Sequence, residues 1–426
     1  MVQGIPSKWQ IKPLSEIAKI KGGKRVPKGE KLVYENTGFP YIRVADFTES
    51  GTVNLVDIRY VTENVYEQIK SYTIDSADLY ISIAGTIGKA GIVPEVLSGA
   101  NLTENACKLV FNECVFNKYA YYFTQTDYFL EQAGLNTRVA AMPKLALSRL
   151  GTIKLPFPPI PVQKRIVAIL DQAFSDIEQA RAKTEQNLLN ARELFESVCS
   201  TSIFSSDSEP ACSVFDVAKD EKGSMRTGPF GSQLLKNEIV DKGIAVLGID
   251  NAVDNSFKWG AKRFITYEKF EKLSRFEVKP GDVLITIMGT CGRCAIVPEN
   301  IPKAINTKHI CCITLDRNKC LPEYLHAYFL YHPIAKEYLL SRAKGAIMAG
   351  LNMGIIKELP LVLPTIQEQK RLVSQIGLLK NNIDCLEAMY RSKVASLDEL
   401  KKSILQKAFS GELTKAPANK TKRGAA

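Results

Sequence analysis

Asp78-Leu-Tyr-Ile-Ser-Ile-Ala-Gly-Thr-Ile-Gly-Lys-Ala-Gly-Ile-Val-Pro-Glu95 returns almost in register as Asp282-Val-Leu-Ile-Thr-Ile-Met-Gly-Thr-Cys-Gly-Arg-Cys-Ala-Ile-Val-Pro-Glu299, 204 positions later. Working outward, Gly38-Phe-Pro-Tyr-Ile-Arg-Val-Ala-Asp46 parallels Gly243-Ile-Ala-Val-Leu-Gly-Ile-Asp-Asn251. Farther along, Pro158-Pro-Ile-Pro-Val-Gln-Lys-Arg-Ile-Val167 parallels Pro364-Thr-Ile-Gln-Glu-Gln-Lys-Arg-Leu-Val373, with the offset now 206. So many matches at similar spacing mean that one ancestral unit of about 205 residues is written twice in this chain of 426.

Each copy has two parts. The first shows short β-rich runs bounded by Gly and Pro, at 41–44, 79–84 and 109–111, then at 246–249, 283–288 and 310–315. Helical stretches interrupt them, such as 322–340, which predicts an α+β domain with a twisted sheet. Gly85 and Gly88 supply the geometry of a tight strand–turn–strand. The second part reads as a long helix, punctuated at its start by Pro158, Pro159 and Pro161 in one copy and by Pro360 and Pro364 in the other. A 4-3-4-3 spacing runs through Ile166, Leu170, Ala173, Ile177, Ala180, Thr184, Asn187, Ala191, Leu194 and Val198. It recurs through Leu372, Ile376, Leu379, Ile383, Leu386, Tyr390, Lys393, Leu397, Leu400 and Ile404. A sustained heptad is a coiled-coil seam that needs a partner, and the doubled chain supplies one.

The predicted parts are a first globular domain over 1–157, a central helix over 158–206, a second globular domain over 207–363, a distal helix over 364–412 and a basic tail over 413–426. Connectivity favours antiparallel helices, because the second must start at the second domain and run back towards the first. The expectation is two globular domains separated by the helix pair, a dumbbell with an approximate internal two-fold axis.

Apolar residues are 45% and charged residues 24%, which suits a soluble globular chain rather than a disordered one. No apolar run approaches the roughly 18 to 20 residues of a membrane span. The beginning, Met1 to Trp9, lacks a signal-peptide core, so the expected location is the cytoplasm. Net charge is +11, and residues 363–426 hold 12 basic against 6 acidic side chains, with Lys415, Lys420, Lys422 and Arg423 in the tail. This favours a polyanionic partner only weakly. Ten cysteines suit a reducing compartment. The CxxC at Cys291 and Cys294 falls opposite Ile87 and Ala90 in the other copy, so small buried apolar slots are expected there rather than zinc ligands.

Familiar catalytic signatures are incomplete. Gly85 to Lys89 suggests a phosphate loop, but Ile83 stands where the first glycine belongs and Ala90 replaces Ser or Thr. The three histidines, His309, His326 and His332, have no partner at metal-ligand spacing common to both copies. No metal site and no catalytic residue are expected in this chain.

Two globular domains, each followed by a Gln-Lys-Arg helix start, resemble the specificity subunit of type I restriction–modification enzymes. The marks are Leu155 to Val167, Leu359 to Val373, Thr227-Gly-Pro-Phe-Gly-Ser232 and Ile404-Leu-Gln-Lys-Ala-Phe-Ser-Gly-Glu-Leu413, so the likeness spans residues 8–414. Val162 stands where the family usually has an acidic residue, whereas Glu368 keeps it. The resemblance implies two target-recognition domains, each reading one half of a split, asymmetric sequence in double-stranded DNA. It implies helices that set the gap and dock two modification subunits, which use S-adenosylmethionine to methylate adenine N6. It also implies two restriction subunits using ATP and Mg, so that this chain supplies the address and not the chemistry.

Phosphate contacts want Lys and Arg, and base reading wants Arg on guanine and Asn or Gln on adenine. On that basis the DNA-binding candidates of the first domain are Lys24, Arg25, Lys28, Arg43, Lys89, Asn136 and Arg138. Those of the second are Arg226, Ser232, Gln233, Lys236, Arg293, Lys308, Arg342 and Lys344. Gln163, Lys164, Arg165, Gln369, Lys370 and Arg371 are candidates for docking a partner subunit. Rival readings are the separate specificity chain of a type II system that cuts outside its site, a coiled-coil scaffold that binds only protein, and an autonomous enzyme.

Overall fold

The computed structural model describes residues 6–134, 144–204, 209–343 and 350–414. The chain divides into two units, Met1–Thr184 with Ser392–Ala426, and Glu185–Arg391. The division runs through both long helices, so each unit owns the start of one and the end of the other.

In unit 1 a four-stranded antiparallel sheet runs in the order Ala18–Gly22, Ala106–Phe111, Leu79–Ser82, Ala90–Ile92. A second sheet orders Arg59–Tyr60, Pro40–Ile42, Ala100–Leu102 and Thr73–Ile74, with the middle two strands parallel. Gln10–Pro13 pairs with Lys154–Phe157. Unit 2 repeats the plan. Its first sheet orders Met225–Thr227, Ile310–Ile313, Val283–Thr286 and Cys294–Ile296. Its second orders Phe264–Ile265, Ile244–Leu247 and Ala304–Asn306, again with a parallel pair. A single bridge from Glu277 to Ile305 stands where unit 1 has Thr73–Ile74. The repeat in sequence is thus a repeat in topology.

The strand Leu79–Ser82 is buried on both faces, which explains its unbroken apolar run. Leu79 and Ile81 join Tyr119 and Phe123 in one core, while Tyr80 stacks on Phe47 in another at 3.9 Å. The turns after it and after its repeat need glycine. Gly85 and Gly88 have φ of 75° and 93°, and Gly289 and Gly292 have 72° and 78°. Ser82 Oγ donates to the Thr86 carbonyl, and Thr286 Oγ1 to that of Thr290. The single helix expected over 322–340 is two helices, Pro322–Tyr331 and Pro333–Ala343. Pro333 forces His332 out of the helical region, to ψ 129°, and across the break His332 Nδ1 accepts the Ile334 N–H at 3.2 Å.

The long helices are Ile160–Val198 and Ile366–Phe409. In unit 1 they run antiparallel, with Glu178 on Lys401 at 3.4 Å and Arg181 on Asp398 at 3.0 Å. In unit 2 they do so again, with Arg192 on Glu387 at 2.7 Å and Lys380 over the Phe195 ring. The heptad is not kept to the ends. Leu194 is 63% exposed while Phe195 and Cys199 are buried, and Leu386, Lys393 and Leu400 are exposed while Glu387, Val394 and Lys401 turn inward. From Ile166 to Cys199, and from Leu372 to Leu405, the covered face advances nine steps in 33 residues. That is close to the α-helix's own ~3.6 residues per turn, whereas a strict heptad requires ~3.5.

The helix ends close the globular cores. Phe409 lies 4.9 Å from Tyr119 and 5.6 Å from Phe123, and Leu405 and Ala408 join the same cluster. The second helix therefore does run back to the first globular part. In unit 2 Phe195 meets Tyr331 at 5.3 Å, and Phe204 packs on Tyr324 and Tyr328.

Candidate nucleic-acid interface

In unit 1 the chain leaves its first sheet at Gly22 and crosses the backbone of residues 102–103. Gly23 N–H donates to the Ala106 carbonyl at 2.9 Å and Lys24 N–H to that of Leu102 at 2.8 Å. A Cβ on Gly23 would overlap the Thr103 carbonyl, so only glycine allows this crossing. The 24–29 loop is thereby set beside Thr103 and Glu104, and between them opens a cleft of about 770 Å³. Arg25, Lys28 and Arg43 line it together.

Their states differ. The Arg25 side chain is 79% exposed, and its Nε donates to Glu104 Oε1 at 2.6 Å. Lys28 is exposed and has no ion pair among the described residues. Arg43 binds Asp46 at 2.5 Å and donates to the Asp57 carbonyl at 2.9 Å, which braces the turn at 43–47; the carboxylates of Asp46 and then of Asp57, the latter at 3.3 Å, push its pKa up. Lys24 lies 5.6 Å from the Tyr72 ring centroid. Lys89, beside the glycine turn, binds Glu49 at 2.7 Å and donates to the Phe47 carbonyl. Asn136, Arg138 and Lys344 lie outside the described residues.

Unit 2 has the same crossing. A Cβ on Gly228 would overlap the Asn306 carbonyl, and Gly228 N–H donates to Thr307 O at 3.3 Å. Ser232, Gln233 and Lys236 lie on the segment that follows, all three exposed. Arg293 is exposed at the glycine turn, and Arg342 is exposed with its guanidinium 5.3 Å from the Tyr338 ring. Lys308 is partly exposed and has no ion pair among the described residues; burial first, then its charge and that of Arg263, push the neighbouring His309 below the usual imidazole range.

Three expected surface residues are interior ones. Arg226 is 8% exposed; it binds the buried Asp282 at 2.5 Å and donates to the Glu277 carbonyl and Thr314 Oγ1, so it braces the sheet and is not open to DNA. Gln163 is fully buried. Its Nε2 donates to the carbonyls of Cys114 and Pro158 at 2.8 and 2.7 Å, and its Oε1 accepts the Phe116 N–H at 2.8 Å. Gln369 does the same with Lys319, Pro364 and Leu321 at 2.9 Å each. Both glutamines fasten a long helix to its own globular part and cannot face a partner. Lys164, Arg165 and Lys370 remain exposed, and Arg371 is paired with Glu368 at 2.5 Å.

Of the CxxC, Cys294 is fully buried with its thiol pushed up by burial, and Cys291 Sγ lies 3.3 Å from the Ile287 carbonyl. Among the described residues no group of three or more His, Cys, Asp and Glu side chains is placed to hold a metal ion.

A search of the sequence for cations alone overlooks Glu104 and Phe230. The signal for both lies in the repeat, where Thr103-Glu104 aligns with Thr307-Lys308 and Gly23-Lys24-Arg25 with Gly228-Pro229-Phe230. It also overlooks exposed aromatic faces. Tyr34 is 76% exposed with the Arg59 guanidinium 3.1 Å above its ring, and Trp259 is 59% exposed beside Phe257.

Among the described residues no helix is long and apolar enough to cross a membrane. The family model described as type I restriction modification DNA specificity domain matches residues 6–186 and 231–389. The chain is 24% identical over 428 residues to the type I restriction enzyme EcoBI specificity subunit of Escherichia coli, covering 96% of this chain and 87% of the relative. It is 23% identical to the EcoKI specificity subunit of Escherichia coli strain K12, covering 96% and 90%. Among solved structures, a chain from work on complex assembly and conformational transition of the type I R-M system aligns with a TM-score of 0.73 at 16% identity, over 96% of this chain and 99% of that one. The HsdS subunit of Thermoanaerobacter tengcongensis aligns at 0.57 with 17% identity, over 97% and 100%. With the same fold built twice and the family model matched in both halves, this chain belongs to the type I restriction modification DNA specificity family.

Proposed function

We propose that the chain is the DNA-recognition subunit of a type I restriction–modification complex and that each globular part reads one half of a split, asymmetric target. One observation carries this reading: the same glycine crossing is built twice, beside different side chains each time. A duplicated reader with identical contacts would suit a symmetric target, whereas altered contacts on an unaltered scaffold suit two different half-sequences. The long helices act as the ruler for the gap between them. The first spans 39 residues, or about 58 Å at ~1.5 Å per residue, against roughly 34 Å for a turn of DNA.

Two modification subunits dock on the helices, where Lys164, Arg165, Lys370 and Arg371 offer polar contacts. These subunits bind S-adenosylmethionine and methylate adenine N6, and two restriction subunits bring ATP- and Mg-dependent cleavage. The complex works in the cytoplasm. Long-read detection of methyladenine in cells expressing the chain with its companion modification subunit tests the reading. A two-part motif with a fixed gap is the expected result; methylation without a motif overturns it. Binding of that complex to DNA should also weaken steeply with salt, by a slope of about 0.9 per phosphate contact, a dependence that a protein-only scaffold does not have.

A further inference from the structure

Two positions beside the crossing carry opposite chemistry in the two units. In unit 1 the residue two places after the crossing glycine is Arg25, and the residue after the crossing threonine is Glu104. In unit 2 the same positions hold Phe230, which is half exposed, and Lys308. The close approach is common to both units, because Gly23 and Gly228 each pack on the strand-end backbone that carries the second residue, although the hydrogen bonds differ: Lys24 N–H donates to the Leu102 carbonyl, and Pro229 has no N–H to do the same.

We propose that these two positions are the specificity determinants of the half-sites, and that Arg25 and Glu104 act as a pair reading a guanine and a cytosine. The inference rests on the DNA-recognition reading above. A carboxylate in a DNA-facing cleft repels phosphate, so Glu104 is not a backbone contact. The major-groove donors it can accept are the exocyclic amines, of which cytosine N4 is the usual partner of Glu. Glu104 stays ionised in the cleft. Burial pushes its pKa up, but bonds from Arg25 and from Thr103 Oγ1 at 3.0 Å outweigh that and hold it below the usual range. With Nε committed to Glu104, the two terminal nitrogens of Arg25 have no partner among the described residues and form a fork that fits guanine O6 and N7. In unit 2 Lys308 supplies a donor for guanine, and the Phe230 ring supplies an apolar face for the thymine methyl group.

The test is selection from a pool of duplexes with randomised bases by the full chain in complex with its modification subunit, followed by sequencing of the bound fraction. Glu104→Gln is expected to lose at least tenfold of the preference for cytosine at one position of one half-site, with adenine now accepted there, and to leave the other half-site unchanged. Lys308→Gln is expected to relax one position in the other half-site alone. If Glu104→Gln enriches the original motif, or weakens binding to every sequence equally, Glu104 is only a brace and the proposal falls. Changes in both half-sites from either variant overturn it as well. A wild-type complex that enriches no sequence overturns the DNA-recognition reading itself, and this inference with it.

Discussion

The residues that most clearly left the surface are the two glutamines at the helix starts. Each closes three hydrogen bonds to backbone groups in the interior. Gln163→Leu would leave the Phe116 N–H and two carbonyls unpaired, at ~1–3 kcal/mol for each buried group left so. Urea unfolding should therefore show unit 1 losing about 3 kcal/mol or more, with unit 2 unaffected; a loss below about 0.5 kcal/mol would contradict the role. Arg226 makes a similar case. Its partner Asp282 has a counterpart in Asp78, but the neutralising cation changes strand. Lys108 serves Asp78 at 2.7 Å from the strand at 106–111, and the position equivalent to Lys108 is Cys312, which lies directly across from Arg226. Removing one partner of such a buried pair costs ~3–5 kcal/mol. Arg226→Met should cost that much in chemical denaturation, whereas Arg293→Met, at an exposed site, should cost almost nothing. Sequence reading offered Gln163, Gln369 and Arg226 as contacts because residue type alone does not tell a brace from a reader. Strand register and burial do, and neither is written in one sequence.

At the scale of the element, the duplication was plain in the sequence because Gly turns, buried strands and the Gln-Lys-Arg helix starts each recur under the same backbone demand. The long helices were plain too, from their freedom from proline. Their facing residues were not, because periods of about 3.5 and about 3.67 share most of their first two turns and separate only over many. Leu194 and Phe195 are both apolar, and only packing chose the second. An eleven-residue block added to both helices at matched heights completes three turns of the observed pattern and keeps the covered faces in phase. It should preserve thermal stability and lengthen the methylated motif's gap while both half-sequences stay the same. A seven-residue block shifts the covered face by roughly a tenth of a turn against the observed pattern and should melt at a lower temperature. If the half-sequences change and the gap does not, the helices are not the ruler.

At the scale of the whole molecule, the two units share a fold but not a titration. All three histidines, His309, His326 and His332, belong to unit 2. Burial pushes each below the usual imidazole value, and His332 to about 4. Below about pH 6.5 the unfolded chain takes up protons that the folded unit refuses, so stability is full above that pH and falls as pH drops from about 6.5 towards about 4. Hydrogen exchange at about pH 5 should show residues 209–391 losing protection before residues 6–134. His332→Asn, which keeps an acceptor for the Ile334 N–H, should flatten part of that slope. Equal acid sensitivity in the two units would refute the assignment.

The seating of Phe409 against Tyr119 also bears on how the chain is made. These two rings are separated by 290 positions. At ~5–20 residues per second, the ribosome delivers the second roughly 15 to 60 seconds after the first. Throughout that interval the amino-terminal half carries an apolar socket around Tyr119 and Phe123 whose plug has yet to be translated. Completion of that core waits on translation of the distal helix, and a ribosome stalled before it leaves a nascent chain with greasy surface for a chaperone to shield.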